Sequence, residues 1–303
     1  MTAYRFVQVD VFTSVPFGGN QLAVFTDARE LDDRRMLAIA REMNYSESTF
    51  IFPTSTPGAD WRVRIFTPGG EVPFAGHPTL GTAFVLADAG MLKPAAETTT
   101  MVLELGVGLI PVELRRGAQG IDLVTMEQKL PRYGPVFQDA GLVAEALSIP
   151  AAEITGAGLP MEVVWTGLHF LMVPVCSLKA MQRMRVNLDA FERIFADLPT
   201  NLLYAFCRET VAAAAQVHAR MFAPGINVPE DPATGSASGC LGAYLARHGL
   251  LPEGPTARLV AEQGLEMQRP SRILIEVRRR GEEITAIRVG GQVVKVAEGW
   301  LFA

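Results

Sequence analysis

The sequence predicts a mixed α/β (α+β) protein built from two similar halves. One phrase is written twice: residues 64–74 read RIFTPGGEVPF and residues 220–230 read RMFAPGINVPE. Strand and helix patterns follow one another in the same order around both copies, and 303 residues suffice for two domains of similar size. We therefore expect a duplicated, nearly symmetric scaffold in which function depends on the positions where the copies differ.

Alternating apolar residues and helical spacing define the elements of the first half. The alternation predicts strands at residues 4–12, 22–25, 49–52, 61–66 and 101–105. Apolar residues at helical spacing predict helices at residues 32–43 and 77–89, the second ending before Gly90.

The second half repeats this order. Strands are predicted at residues 169–173, 202–206, 217–222, 273–277, 284–289 and 292–296, and helices at residues 188–196 and 236–247. The stretch 127–136 contains Pro and Gly residues that would stop a regular element, so we place the crossover there. The predicted domains are residues 1–128 plus 288–303 and residues 129–287, because the last strand is expected to return to the first half.

Composition and charge exclude several classes of protein. Apolar residues make up 49% of the chain and charged residues 19%, as in ordinary globular proteins, and a net charge of −5 argues against a nucleic-acid partner. No leader pattern or run of about 18 apolar residues occurs, so we expect a cytoplasmic protein without a membrane partner. The three cysteines have no disulfide or zinc spacing, and we expect neither a metal nor a cofactor.

Each copy of the repeat leads into a predicted helix start that could bind an anion. The first copy continues AGHPTLGTA and the second DPATGSASG, and free backbone N–H groups are expected at Gly76, His77, Gly235 and Ser236. In the alternative interpretation, the first-turn Pro, Thr and Ser residues only cap these helices. The duplication favours an anion site, and the absence of GxGxxG and GxxxxGK[ST] favours a small carboxylate ligand over a nucleotide.

Two carboxylates break the symmetry of the copies. Asp231 lies in a loop where the first copy has Ala75, and Glu47 lies at a strand entrance where the second copy has Leu202. Desolvation at such a strand entrance can raise the pKa of a carboxyl group and make Glu47 a proton acceptor near neutral pH. A surface or capping role is the alternative for Glu47, and a structural role is the alternative to a proton relay or hydrogen-bond donor for His77.

The motifs SESTF around Glu47, RIFTPGGEVPFAGHP from Arg64, RMFAPGINVPEDPATGSA from Arg220 and QGLEMQRPS from Gln263 closely resemble the phenazine biosynthesis PhzF family. The resemblance extends over essentially the whole chain. It implies the diaminopimelate epimerase-like fold, in which two pseudo-symmetric domains each wrap a sheet around a central helix and the active site lies in the cleft between them. It also implies a homodimer.

The resemblance further implies a cofactor-independent isomerase acting on trans-2,3-dihydro-3-hydroxyanthranilate or a similar small carboxylate. It assigns acid/base catalysis to Glu47, which would take a proton from the ring carbon bearing the hydroxyl and return it elsewhere. His77 and Asp231 are implied as the other catalytic residues. Gly76, Gly235 and Ser236 are expected to bind the substrate.

Two other functions stay open at this point. Related epimerases of this fold use one cysteine from each half, and this chain has none at those positions. An epimerase or racemase would therefore have to use Glu47 and Asp231 as its acid and base. A binding or interaction protein without turnover is the remaining alternative, since a fold does not fix a function.

Overall fold

The chain forms two compact units of internal contacts. The computed structural model describes residues 2–92, 96–118 and 120–303. Unit 1 comprises Met1–Glu127 and Arg288–Ala303, and unit 2 comprises Gln128–Ile287. The chain thus leaves unit 1 after Glu127 and returns to it after Ile287.

Unit 1 contains the first eight strands and two helices. These are β1 (Ala3–Val11), β2 (Asn20–Phe25), α1 (Asp33–Met43), β3 (Glu47–Phe52), β4 (Trp61–Thr67), β5 (Gly70–Val72), α2 (Gly76–Asp88), β6 (Thr98–Leu105), β7 (Gly108–Gly117) and β8 (Gly120–Glu127).

Unit 2 begins with β9 (Arg132–Phe137), α3 (Ala140–Leu147), α4 (Ala152–Thr155), β10 (Met161–Trp165), β11 (His169–Pro174), α5 (Leu178–Arg183) and α6 (Leu188–Phe195). It continues with β12 (Leu203–Cys207), β13 (Val217–Ala223), a short 3-10 turn (Pro224–Ile226), β14 (Val228–Asp231), α7 (Gly235–Arg247), β15 (Thr256–Gln263) and β16 (Ser271–Arg280). Strand β17 (Glu283–Gly291) leads back to unit 1, where the chain ends with β18 (Val293–Phe302).

The strands of unit 1 and the strands of unit 2 are paired in one shared order. In unit 1 the order is β18-β1-β2-β3-β4-β6-β7-β8, and the β2–β3 and β4–β6 pairs are parallel while the others are antiparallel. In unit 2 the order is β9-β10-β11-β12-β13-β15-β16, with β11–β12 and β13–β15 as the parallel pairs. The predicted mixed class with a duplicated pattern is confirmed.

The strands of each unit enclose one central helix, α2 in unit 1 and α7 in unit 2. Both helices have thirteen residues and are buried on nearly all sides, as expected of a helix without a polar face. Glycines allow the close approach: a Cβ on Gly81 would lie 2.6 Å from Leu22 Cδ2, and one on Gly242 would lie 2.8 Å from Ile275 Cγ2. Amphipathic helices such as α1, which buries Met36, Ile39 and Ala40, pack elsewhere in each unit.

The structure corrects the expected irregular stretch at 127–136. Residues 132–137 form β9 although Gly134 and Pro135 lie within it, because the pairing with β10 shifts register between Glu162 and Val164 and the bulge accommodates them. In the described part of the chain, no helix has the length and apolar character required to cross a bilayer.

Candidate functional site

Glu47 is placed by the helix that precedes it. Helix α1 is capped at its start by Asp32, which accepts a hydrogen bond from Arg35 N at 2.8 Å, and it ends at Asn44 in the left-handed conformation (φ 52°). Three residues later Glu47 opens β3, opposite Leu22 of the parallel strand β2. Its side chain is 15% exposed.

Strand register shows that unit 2 lacks this carboxylate. Ser48 lies opposite Phe66, and Leu203 lies opposite Phe222. Because Phe66 and Phe222 hold the same position in the repeated phrase, the residue that corresponds to Glu47 is Leu202. The predicted symmetry break therefore agrees with the strand pairing.

His77 occupies the first turn of α2, beside Glu47. Its side chain is 3% exposed, Nε2 lies 3.6 Å from Glu47 Oε2, and Nδ1 lies 3.1 Å from the amide nitrogen of Asn20. Burial lowers the pKa of His77 to about 3, and a hydrogen bond with the backbone of Gln21 offsets part of this shift. The imidazole is therefore neutral near pH 7.

The Nε2 atom of His77 is buried and has no hydrogen-bond partner among the described residues. An unsatisfied buried polar atom costs about 1–3 kcal/mol, and most buried polar atoms in folded proteins have a partner. This atom and the Glu47 carboxylate are thus placed where a polar group of a ligand can bond to both.

The two central helices differ at their N-termini from four of the outer helices, and the short helix α4 also has no side-chain cap. Side chains accept hydrogen bonds from the first turns of α1, α3, α5 and α6, and the capping residues are Asp32, Asp139, Ser177 and Asn187. Helices α2 and α7 have no side-chain cap, although Ala75 and Thr234 are their N-cap residues. The first-turn N–H groups of Gly76 and His77 in α2 and of Gly235 and Ser236 in α7 receive no bond from an N-cap side chain, which leaves these helix starts the capacity to bind an anion.

The capping role that was the alternative for these first-turn residues is not seen for Thr79 or Thr234. Thr79 Oγ1 donates to Ala75 O at 2.7 Å, and Ser238 Oγ donates to Thr234 O at 2.9 Å, which are matching bonds in the two units. In both bonds the hydroxyl donates to a carbonyl group, so neither bond caps an N–H group of the first turn.

Asp231 is buried at the end of β14, and not in a loop as the sequence indicated. Pairing with β13 extends the strand through this residue. The Thr234 hydroxyl donates to Asp231 Oδ2 at 2.5 Å, and α7 begins one residue later at Gly235. Ser236, 4% exposed, follows in the first turn.

Sequence reasoning missed Asn20 and Gln263. Asn20 contacts His77 as described above, and Gln263 hydrogen-bonds to Asp231 and Thr234. Gln263 begins the QGLEMQRPS motif, which carries a family resemblance but gives no indication of what the side chain contacts.

Two of the other three histidines, His218 and His248, have carboxylate partners in unit 2. His248 Nε2 lies 3.1 Å from Glu162 Oε2, and His218 lies between Glu262 (2.8 Å) and Glu266 (3.1 Å). Within residues 2–92, 96–118 and 120–303, no group of three His, Cys, Asp or Glu side chains is arranged to hold a metal ion.

Comparison with known families identifies the relatives of this arrangement. The PhzC-PhzF family of phenazine biosynthesis-like proteins matches residues 9–299. The chain belongs to this family. It is 37% identical over 298 residues to trans-2,3-dihydro-3-hydroxyanthranilate isomerase of Pseudomonas aeruginosa, covering 98% of both chains. It is 36% identical over 305 residues to an uncharacterized isomerase of Mesorhizobium japonicum, covering all of both.

Solved structures of the family have the same fold. A PhzF family protein of Bacillus anthracis superposes with a TM-score of 0.89 at 28% identity over the whole of both chains. A predicted epimerase of P. aeruginosa gives a TM-score of 0.83 at 34% identity over 99% of both. A hydroxyproline epimerase of Agrobacterium vitis (TM-score 0.66, 12% identity, covering 99% of this chain and 91% of the other) shares the fold alone. The predicted family, fold class and enzyme class, an isomerase, are confirmed.

Proposed function

We propose that this chain is a cofactor-independent isomerase that moves a proton within a small carboxylated, conjugated metabolite, such as trans-2,3-dihydro-3-hydroxyanthranilate. The observation that carries the proposal is Glu47, which lies beside the neutral His77 and has no counterpart in unit 2. The 37% identity to an isomerase of that name supports the substrate class.

Glu47 is proposed to act as both base and acid. Its carboxylate removes the proton from the ring carbon that bears the hydroxyl and then delivers it to another carbon of the conjugated system. His77, with a pKa of about 3, is a poor base near neutral pH, which favours a hydrogen-bonding role for its Nε2 over that of a proton relay. A proton transfer by a positioned carboxylate contributes about 10²–10⁴-fold in rate.

The negative charge that develops on the substrate is proposed to be stabilised by the uncapped helix starts. In each unit the N–H groups at the helix start, of Gly76 in α2 and of Gly235 and Ser236 in α7, are suited to an anion such as the substrate carboxylate, toward which charge spreads as the proton leaves. Asp231 is proposed to orient the substrate through its polar substituents. Preformed N–H donors are effective because they need no reorganisation during the reaction.

The test is turnover of trans-2,3-dihydro-3-hydroxyanthranilate by the purified protein in deuterated buffer, followed by absorbance and by mass spectrometry of the product. The proposal predicts isomerised product, and loss of turnover in Glu47→Gln. A folded wild-type protein that leaves this compound unchanged contradicts the proposed substrate. Binding of the compound without turnover favours a binding function instead.

An epimerase is the second candidate, because the chain is 34% identical to a protein described as a predicted epimerase and has a second buried carboxylate, Asp231. That reaction would exchange one α-hydrogen of a small carboxylic or amino acid with inversion. Chiral chromatography of the recovered substrate separates the two functions, since the isomerase leaves its configuration unchanged.

Cofactor independence and assembly belong to the same proposal. Dialysis against EDTA is expected to leave the rate unchanged, and a rate restored only by an added metal or organic cofactor contradicts this part. A homodimer is expected from the family resemblance, and light scattering coupled to size-exclusion chromatography measures the mass in solution.

A further inference from the structure

We propose that Gln263 is a positioning residue that holds Asp231 and the start of α7 in the geometry needed for substrate binding. This inference rests on the proposed function, because that function assigns Asp231 to the substrate. Gln263 is the last residue of β15 and is fully buried, with 0% of its surface exposed.

The Gln263 side chain uses both ends of its amide on one short segment. Its Nε2 donates to Asp231 O at 2.7 Å and to Thr234 Oγ1 at 2.9 Å, and its Oε1 accepts from Thr234 N at 3.1 Å. These three bonds connect the end of β14 to the N-cap of α7. A primary amide provides two N–H donors and one acceptor, and the segment uses all three.

The direction of these bonds fixes the Thr234 hydroxyl. That oxygen accepts from Gln263 Nε2, so its own proton is available to Asp231 Oδ2 at 2.5 Å. A chain of aligned hydrogen bonds is more rigid than its members alone. The orientation of the Asp231 carboxylate therefore depends on the amide of Gln263.

Unit 1 shows why a glutamine is needed here. Arg62 pairs with Glu104 of β6, and His218 pairs with Glu262 of β15, so the next residues, Leu105 and Gln263, correspond. Leu105 has no polar group, and in unit 1 α2 begins directly after Ala75. Unit 2 has three additional residues, 232–234, before α7 begins, and these are the residues that the Gln263 amide bridges.

The backbone around Gln263 is itself fixed closely against this segment. Ser271 Oγ contacts both Gln263 O (3.0 Å) and Pro232 O (3.4 Å). Gly264 has a φ of +78°, and a Cβ there would lie 2.4 Å from Pro232 O. The amide therefore has little freedom to move away from Asp231.

Gln263→Glu is the sharpest test, because it keeps the size of the side chain and the acceptor for Thr234 N but removes the donors to Asp231 O and Thr234 Oγ1. We expect KM to rise at least about tenfold, with a smaller change in kcat, since a lost hydrogen bond of about 1.5 kcal/mol corresponds to roughly tenfold. Gln216→Glu is the matched control: Gln216 is exposed, bonds to Val260 N and Ala214 O, and its substitution is expected to leave both constants unchanged.

A double-mutant cycle with Asp231→Asn separates positioning from a general structural effect. If Gln263 acts through Asp231, Gln263→Glu adds less than about twofold to the loss in the Asp231→Asn background. An undiminished loss in that background, or a kcat/KM within about twofold of wild type for Gln263→Glu alone, overturns the inference.

Thr234→Val keeps the inference testable if Gln263→Glu does not fold. It removes only the hydroxyl between Gln263 and Asp231, and it is expected to raise KM as Gln263→Glu does, whereas Thr234→Ser restores the wild-type value. Failure of the serine to rescue contradicts the inference.

If the wild type does not turn over trans-2,3-dihydro-3-hydroxyanthranilate, KM cannot be measured. The dissociation constant of 3-hydroxyanthranilate, measured by calorimetry, is then compared instead. Weaker binding by Gln263→Glu than by the wild type then supports the positioning role although the proposed reaction fails. Equal binding overturns the positioning role. A wild type that neither binds nor reacts contradicts both.

Discussion

The starts of the two central helices are built alike but surrounded by different chemistry. Both α2 and α7 lack a side-chain cap, and both use a first-turn hydroxyl to bond the N-cap carbonyl. Glu47 lies beside the neutral His77 in the first turn of α2, whereas Asp231, Thr234 and Gln263 form a hydrogen-bond network at the start of α7. In our proposal both helix starts can bind an anion, while the side chains of unit 1 carry out proton transfer and those of unit 2 orient the substrate.

The strand registers show which residues of the two units correspond. Glu47 corresponds to Leu202, Leu105 to Gln263, and Arg62 to His218. In each pair, one unit has an apolar or permanently charged side chain, and the other unit has a side chain that titrates or forms directional hydrogen bonds. Substitutions at these positions test whether unit 1 carries out proton transfer and unit 2 orients the substrate.

The largest effect is expected from Glu47→Gln. It keeps the shape of the side chain but removes the proton acceptor, so kcat is expected to fall about 10²–10⁴-fold. Steady-state kinetics with trans-2,3-dihydro-3-hydroxyanthranilate measure the loss. Glu42→Gln, on an exposed face of α1, is the control and is expected to behave as wild type. Loss of less than about tenfold in Glu47→Gln contradicts the assignment of the base.

Asp231→Ala gives unit 2 the residue type that unit 1 has at the corresponding position, Ala75. Loss of a charge-assisted hydrogen bond costs about 1.5–3 kcal/mol, so kcat/KM is expected to fall roughly tenfold to hundredfold. Exchange of the substrate hydrogen with deuterated solvent should continue, because Glu47 is intact. Complete loss of exchange in this variant, with an intact fold by circular dichroism, would show that Asp231 is needed to remove the proton and would contradict the assignment of Glu47 as the only base.

The repeated phrase and its flanking patterns predicted much of the fold, because apolar alternation and helix starts are local signals. The positions of Glu47 and His77 and the starts of α2 and α7 followed from them. Whether the residue roles hold stays a prediction. The bulge that lets Gly134 and Pro135 join β9 depends on pairing with β10, and the bonds of Gln263 and Asn20 depend on contacts distant in sequence. No local pattern encodes such contacts.

His77→Gln is expected to change the pH dependence of stability. The folded-state pKa of about 3 lies below the usual value of about 6.5, so protons bind preferentially to the unfolded chain between these values. Stability is therefore full above about pH 6.5 and falls on acidification. Urea unfolding between about pH 7 and about pH 5 should show a steeper loss for the wild type than for His77→Gln. Equal slopes would show that His77 is not buried as a neutral ring.

The smallest effect is expected from His218→Gln in unit 2. Burial lowers the pKa of His218, but the hydrogen bonds to Glu266 and Glu262 outweigh it, so the pKa is raised. The stability that His218 contributes is therefore complete below about pH 6.5 and declines as the pH rises through the folded-state pKa. The variant is expected to lose about 1–3 kcal/mol at acidic pH and less at alkaline pH. Thermal unfolding at several pH values measures this. A loss that grows with pH would contradict the charged state of the pair.

Transfer of a label tests the central claim most directly. Substrate carrying deuterium on the ring carbon that bears the hydroxyl is converted in ordinary water, and the product and the recovered substrate are analysed by NMR. If Glu47 alone takes and returns the proton, part of the deuterium appears at the new carbon of the product and the recovered substrate keeps its configuration. Complete loss of deuterium together with inversion of the recovered substrate would show that two groups share the transfer. That result would contradict the claim that Glu47 alone takes and returns the proton.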